Sequence, residues 1–204
     1  MCCSKKNDLG QRRKENMFSL SEPSPARVKQ ILASQKRAGF SYDAVGATRD
    51  EQFPNGFNVD RHAITLGTGD RVFAAARQAL RRWEMMDLGW VHAIPASPSI
   101  EVGTEVAVVV RHFGFWSVNV SRVVYVLETE SAFGFAYGTL REHAESGEEL
   151  FSITRRDDGS VWYEIVAFSR PRHVLANAGY PLTRVLQSRF AQDSMRRMAQ
   201  KSLV

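Results

Sequence analysis

The chain has 204 residues, 44% of them hydrophobic and 24% charged, and carries a formal net charge of +5. That length supports one good core with no room for a second sizeable domain, and the composition belongs to globular proteins, not to disordered or membrane ones. The longest apolar run, Val106 to Val110, is too short to span a bilayer, and the arginines are interspersed with acidic residues instead of clustered, which argues against nucleic acid as a partner.

Residues 1–16 read as a disordered basic tail, and Met17 opens a more protein-like stretch. The only cysteines, Cys2 and Cys3, are adjacent, so they close no useful disulfide loop and cannot by themselves build a zinc site. A reducing, cytoplasmic setting follows, with acylation of the pair beside basic residues as the alternative. Residues 17–60 form an N-terminal helix and an irregular segment packed on the main domain. Ser24 and Pro25 suit an N-cap and first helical residue, Val28, Ile31 and Leu32 make a narrow stripe, and Gly39 suits the stop. From Phe40 to Val59, aromatic residues mixed with Gly46, Pro54 and Gly56 predict irregular loop lying across the domain.

The main domain occupies residues 61–204. Arg61 to Leu66 predicts a strand, and Gly67-Thr-Gly69-Asp70 turns it into a helix running to about Met86, with Phe73, Ala76, Leu80 and Trp83 at helical spacing. A phosphate cradle at that turn would need a third glycine and parallel strand-helix units, and both are missing. After Trp90 to Ile94, five strand-like runs follow: Thr104 to His112, Trp116 to Leu127, Phe133 to Leu140, Glu148 to Arg155 and Ser160 to Phe168. Short turns make them antiparallel. A last helix from about Pro181 to Lys201 presents Leu182, Val185, Leu186, Phe190 and Met198 along one side. The fold class is therefore α+β: a curved antiparallel sheet wrapped around a long C-terminal helix.

Alternation assigns the faces. In Ser117 to Leu127 the even positions, Val118 to Val126, are apolar apart from Arg122, so Arg122 is expected to point inward. If Asp158-Gly159 is a two-residue hairpin turn, Glu149 lies across from Phe168, Ile153 from Glu164 and Arg155 from Trp162, which puts Glu149 and Glu164 on the core face. Charges on such a face must meet each other, water or a ligand. They serve either as an internal ion pair, as the polar anchor of an otherwise apolar pocket, or, for a displaced Glu, in acid-base catalysis. Tyr137 and Trp162 would supply aromatic wall, and His143 with Glu145 sit where a loop would rim the mouth. Their spacing is poor for a metal, no serine has a nucleophile-elbow context, and no metal or cofactor is expected.

Several segments together resemble uncharacterised protein family 0548: Phe40-Ser-Tyr-Asp-Ala-Val-Gly-Ala-Thr48, Arg122-Val-Val-Tyr125, Phe133-Gly-Phe-Ala-Tyr-Gly-Thr139, His143-x-Glu-x-Gly-Glu-Glu149, Trp162-Tyr163, Phe168-Ser-Arg-Pro171 and Tyr180-Pro181. The likeness runs from about residue 17 to the end, and Ala144 stands where the family commonly has proline. It brings no activity with it. The element order also resembles the helix-grip architecture of the START and polyketide-cyclase-like superfamily, whose members bind lipids, sterols, polyketides or hormones between sheet and terminal helix, some of them as enzymes. The expectation is a binder of a hydrophobic or amphipathic, lipid-like small molecule, with Arg122, Tyr137, His143, Glu145, Glu149, Trp162 and Glu164 as its site, and without stable membrane insertion. A cyclase or isomerase using a buried carboxylate, and an interaction module with a filled core, are the alternatives.

Overall fold

A computed structural model describes residues 17–141, 143–172 and 180–203. The basic tail with Cys2 and Cys3, and the side chain of Leu182, lie outside the described residues. Strand β1 (Phe18–Ser19) precedes α1 (Pro25–Gln35), which Ser24 caps by accepting the Arg27 N–H at 3.3 Å. A short helix α2 (Ala47–Asp50) interrupts the segment expected to be irregular throughout. Then come β2 (Asn58–Thr68), α3 (Asp70–Arg81), a 3-10 turn (Glu84–Met86), β3 (Val91–Ile94), β4 (Glu105–Arg111), β5 (Trp116–Glu128), β6 (Ala132–Thr139), β7 (Glu145–Arg155), β8 (Ser160–Pro171) and α4 (Tyr180–Lys201). The helix expected to reach Met86 stops earlier because Trp83 adopts a left-handed conformation (φ 58°), which lets its buried indole N–H reach the Pro98 carbonyl at 3.0 Å.

All strand pairs are antiparallel, in the order β2-β8-β7-β6-β5-β4-β3, with β1 added against β5. The sheet curls around an inner face where α3, the 3-10 turn and α4 pack, with Phe73, Leu80, Trp83, Phe135, Phe151 and Tyr163 buried there. Helix α1 covers the outer face of β4 and β5, joining Val28 and Ile31 to Ala107, Val109, Val118 and Val120. The unbroken apolar run in β4 follows from this, since both of its faces are covered. Tyr42, Ala47 and the aromatic rings of Phe53 and Phe57 close over Phe168 on the outer face of β7 and β8.

Two face assignments change. The β7–β8 turn has three residues, Asp157 to Gly159: the Arg156 N–H donates to Ser160 O and the Gly159 N–H to Arg156 O, with Gly159 at φ 79°. Arg155 therefore faces Val161, Ile153 faces Tyr163 and Glu149 faces Ala167. One residue of slip turns a whole strand over, so Val161, Tyr163 and Ile165 point inward while Trp162 and Glu164 point out. In β5, the even positions Val118 and Val120 do face a core, but it is the outer one beneath α1, and Arg122 shares that side. An irregularity between Val123 and Tyr125 then switches the alternation, so that Val126 packs on the inner cluster. On α4, Leu186, Phe190 and Met198 pack on the core as expected, but Val185 is 60% exposed.

Candidate ligand cavity

Helix α3 is shorter than the sheet is wide, so it and Trp83 fill only part of the inner face. The C-terminal half of α4 is pinned: Tyr163 Oη lies 2.8 Å from Ser194 Oγ, the Trp90 indole N–H donates to Asp193 Oδ2 at 3.0 Å, and Arg197 donates to Glu84 at 2.9 Å. The N-terminal half, from Thr183 to Ala191, lies over the unfilled part of the sheet. A cavity of about 1320 Å³ results.

Its apolar wall comes from Met86, Trp90, Val108, Ile165, Leu186 and Phe190. Its polar wall is assembled by register. Asp60 on β2 pairs with Ala167, Ala167 with Glu149, and Glu149 with Tyr137, a row across four strands on the inner face. Tyr137 donates its phenolic proton to Glu149 Oε2 at 2.8 Å. From α4, Arg184 forks onto Asp60 at 2.5 and 2.6 Å and donates to Gln187 Oε1 at 2.8 Å, and the Gln187 amide donates to both Glu145 oxygens at 3.0 and 3.1 Å. Arg184 and Gln187 reach these partners together because residues three apart share a helix face. On β5 the alternate residues Ser117, Asn119 and Ser121 line the same space. Ser121 Oγ is buried and has no hydrogen-bond partner among the described residues.

The electrostatics follow from depth. Glu149 lies deep in the protein, and the surface it retains faces the cavity. Burial pushes its carboxyl up to about 7, reinforced by the charges of Glu145 and Asp60 and opposed by the Tyr137 hydrogen bond. Burial also raises Glu145, against the Gln187 hydrogen bond and Arg184. His143, whose Nδ1 accepts the Glu145 N–H at 3.0 Å, is lowered to about 4, mainly by burial and further by Arg172. Its imidazole is therefore neutral at pH 7.

Of the residues expected to form the site, Tyr137, His143, Glu145 and Glu149 line the cavity together. Arg122, Trp162 and Glu164 do not. Arg122 bonds Glu105 at 2.6 Å and donates to the carbonyls of Ala38, Gln35 and Lys36, so it closes the C-terminal end of α1. Trp162 lies under the Arg156 guanidinium, 3.9 Å from its ring centre, and Glu164 meets that same arginine at 3.4 Å near the surface. Asp60, Arg184, Gln187 and Ser121 complete the site without having been foreseen. Ser121 was legible from the polar alternation of β5, whereas Asp60 required the pairing of β2 with β8. Among the described residues no group of three His, Cys, Asp or Glu side chains is placed to hold a metal, and no helix is long and apolar enough to cross a membrane.

A curled antiparallel sheet gripping a long C-terminal helix, with a cavity between them, defines the helix-grip class of α+β proteins. Solved structures with this fold include a hypothetical protein of Helicobacter pylori (TM-score 0.56, 13% identity, 81% of this chain and 100% of that one) and the Zhui aromatase/cyclase of Streptomyces sp. R1128 (TM-score 0.51, 11% identity, 72% and 93%). Within that class the chain belongs to the DUF1990 family, described as a domain of unknown function, whose family model matches residues 41–197. It is 34% identical over 203 residues to a UPF0548 protein of Dictyostelium discoideum, covering 89% of this chain and 94% of that relative. It is 32% identical over 191 residues to a UPF0548 protein of Deinococcus radiodurans, covering 88% and 96%.

Proposed function

We propose that the cavity binds an amphipathic, lipid-like small molecule. Its apolar body would lie along Trp90, Val108, Leu186 and Phe190, and its polar end would meet Glu149, Tyr137 and the Gln187–Glu145 pair. The observation that carries this reading is the cavity itself: about 1320 Å³ of space with an apolar wall and a few convergent polar groups, the usual construction of a small-molecule site. A cytoplasmic setting belongs to the proposal, because the two cysteines are adjacent and close no loop.

Native mass spectrometry of protein purified from its own host tests the reading. A co-purifying adduct of lipid-like mass, lost in Glu149→Gln, is expected; a clean protein mass together with an unbound panel of lipids and sterols would refute it.

One observation favours a second reading. A carboxyl poised at about 7 and 2.8 Å from a tyrosine hydroxyl suits general acid-base catalysis near neutral pH, as in a cyclase or isomerase. Under that reading Glu149→Gln keeps the adduct but abolishes its conversion.

A further inference from the structure

We infer that the mouth of the cavity docks on an anionic phospholipid surface, through an apolar tip formed by Leu20 and Phe113 and flanked by Arg111 and Arg189. Leu20, just beyond β1, is 89% exposed, and Phe113, in the β4–β5 turn, is 70% exposed. The two come from segments far apart in sequence yet line one groove. Phe115, which lines the groove, meets Phe18 edge-on with ring centres 5.9 Å apart. Large apolar side chains held at the ends of turns and left exposed among the described residues are placed to enter an apolar layer.

Charge decides what kind of layer. Arg111 is exposed, and the Arg189 side chain is 49% exposed, lying over the Trp90 ring and 3.5 Å from Asp193. No carboxylate lines the groove among the described residues, and Glu22 is the acid nearest Leu20 along the chain. Arginines beside apolar tips fit lipid phosphates and the negative potential of an anionic leaflet. Position adds the third argument. The groove shares Leu20, Trp90, His112, Phe115 and Leu186 with the cavity, so a molecule leaving the bilayer at this tip enters the cavity over apolar side chains without crossing open water.

The test is co-sedimentation of the full chain with vesicles of phosphatidylcholine alone or with about one-third phosphatidylserine. The protein is expected to pellet with the anionic vesicles and to be released as salt is raised to about 0.5 M, where the Debye length falls to roughly 4 Å. Phe113→Ser and Leu20→Ser each lower partitioning by about tenfold, and Arg111→Ala by about fivefold. All three retain the wild-type thermal midpoint, because the side chains are exposed. Absence of pelleting with either vesicle, equal pelleting with both, or pelleting untouched by the apolar substitutions would overturn the proposal. A dimer in solution abolished by Phe113→Ser, with no vesicle binding, would assign the face to a second copy of the chain instead. Vesicle binding is read whatever the cavity holds, so it stands or falls separately from the ligand.

Discussion

Glu148 and Glu149 are consecutive, yet their carboxylates leave β7 through opposite faces and meet opposite surroundings. Glu148 is buried beneath the N-terminal segment, where it accepts the Tyr42 hydroxyl at 2.8 Å, the Gly46 N–H at 2.7 Å and the Thr48 N–H at 3.1 Å, and also bonds the Thr48 hydroxyl. Glu149, on the cavity side, has the Tyr137 hydroxyl as its hydrogen-bonding side chain. The first carboxylate is a fastener and the second is held in reserve.

Replacing each gives opposite results. Glu148→Ala leaves a phenol and two backbone N–H groups buried without an acceptor, at about 1–3 kcal/mol for each group left unmet. A loss of roughly 3 kcal/mol or more is expected, read as a lower urea midpoint. Glu149→Gln removes a carboxyl that burial disfavours, so stability at pH 7 is expected to be unchanged or higher. Equal losses in the two variants would contradict this division of roles.

Gly138 makes the Tyr42–Glu148 bond possible. A Cβ at this position would run into the Tyr42 hydroxyl and come within 3.0 Å of Phe40 Cδ1. Gly138→Ala is therefore expected to push Tyr42 off Glu148 and to cost about 2–3 kcal/mol, an overpacking loss combined with an unmet hydrogen bond. In the double variant Gly138→Ala/Tyr42→Phe the penalty should shrink without vanishing, because the clashing hydroxyl is gone while the ring carbon Cζ stays 2.8 Å from the added Cβ. A double-mutant cycle in urea measures that coupling.

The strand series, the final helix and the inner position of Glu149 were legible in the sequence because each rests on local periodicity. The face of β8 was not. Asp157-Asp158-Gly159 satisfies either a two-residue or a three-residue hairpin loop, and only the completed ladder chooses between them, so Trp162 and Glu164 were placed on the wrong side. Arg122 was misplaced for a related reason: β5 is covered on both faces, and alternation reports that a face is buried without saying which core buries it. The fastening of Glu148 was hidden because its donors, Tyr42, Gly46 and Thr48, lie about a hundred residues away in a segment with almost no regular structure.

Arg122→Leu tests the reassignment of that arginine. The substitution leaves Glu105 half-buried without its partner and releases the carbonyls at the end of α1. A loss of about 1–3 kcal/mol is expected, together with faster amide hydrogen exchange in α1. Retention of a bound adduct in native mass spectrometry should be unaffected. If the adduct disappeared while the α1 amides stayed protected, Arg122 would belong to the cavity after all.

Glu149 and His143 impose opposing pH dependences. The folded pKa of Glu149 is raised, so its stabilising contribution is complete below about 4.5 and is lost as pH climbs through about 7. The folded pKa of His143 is lowered, so its contribution is complete above about 6.5 and is lost as pH falls through about 4. Each spans on the order of 3 kcal/mol, and the two windows overlap between about pH 4.5 and 6.5. Glu145, Asp60, Arg184 and Arg172 face the same groups and temper both slopes. The wild-type profile across that overlap is therefore expected to be nearly flat, with a decline toward pH 8. Glu149→Gln should expose a rise in stability from pH 4.5 to 6.5, and His143→Gln a continuous fall over the same range. Urea unfolding of the three proteins at half-unit pH steps measures this, and parallel profiles would show that neither group is held as deep in the protein as its position in the cavity implies.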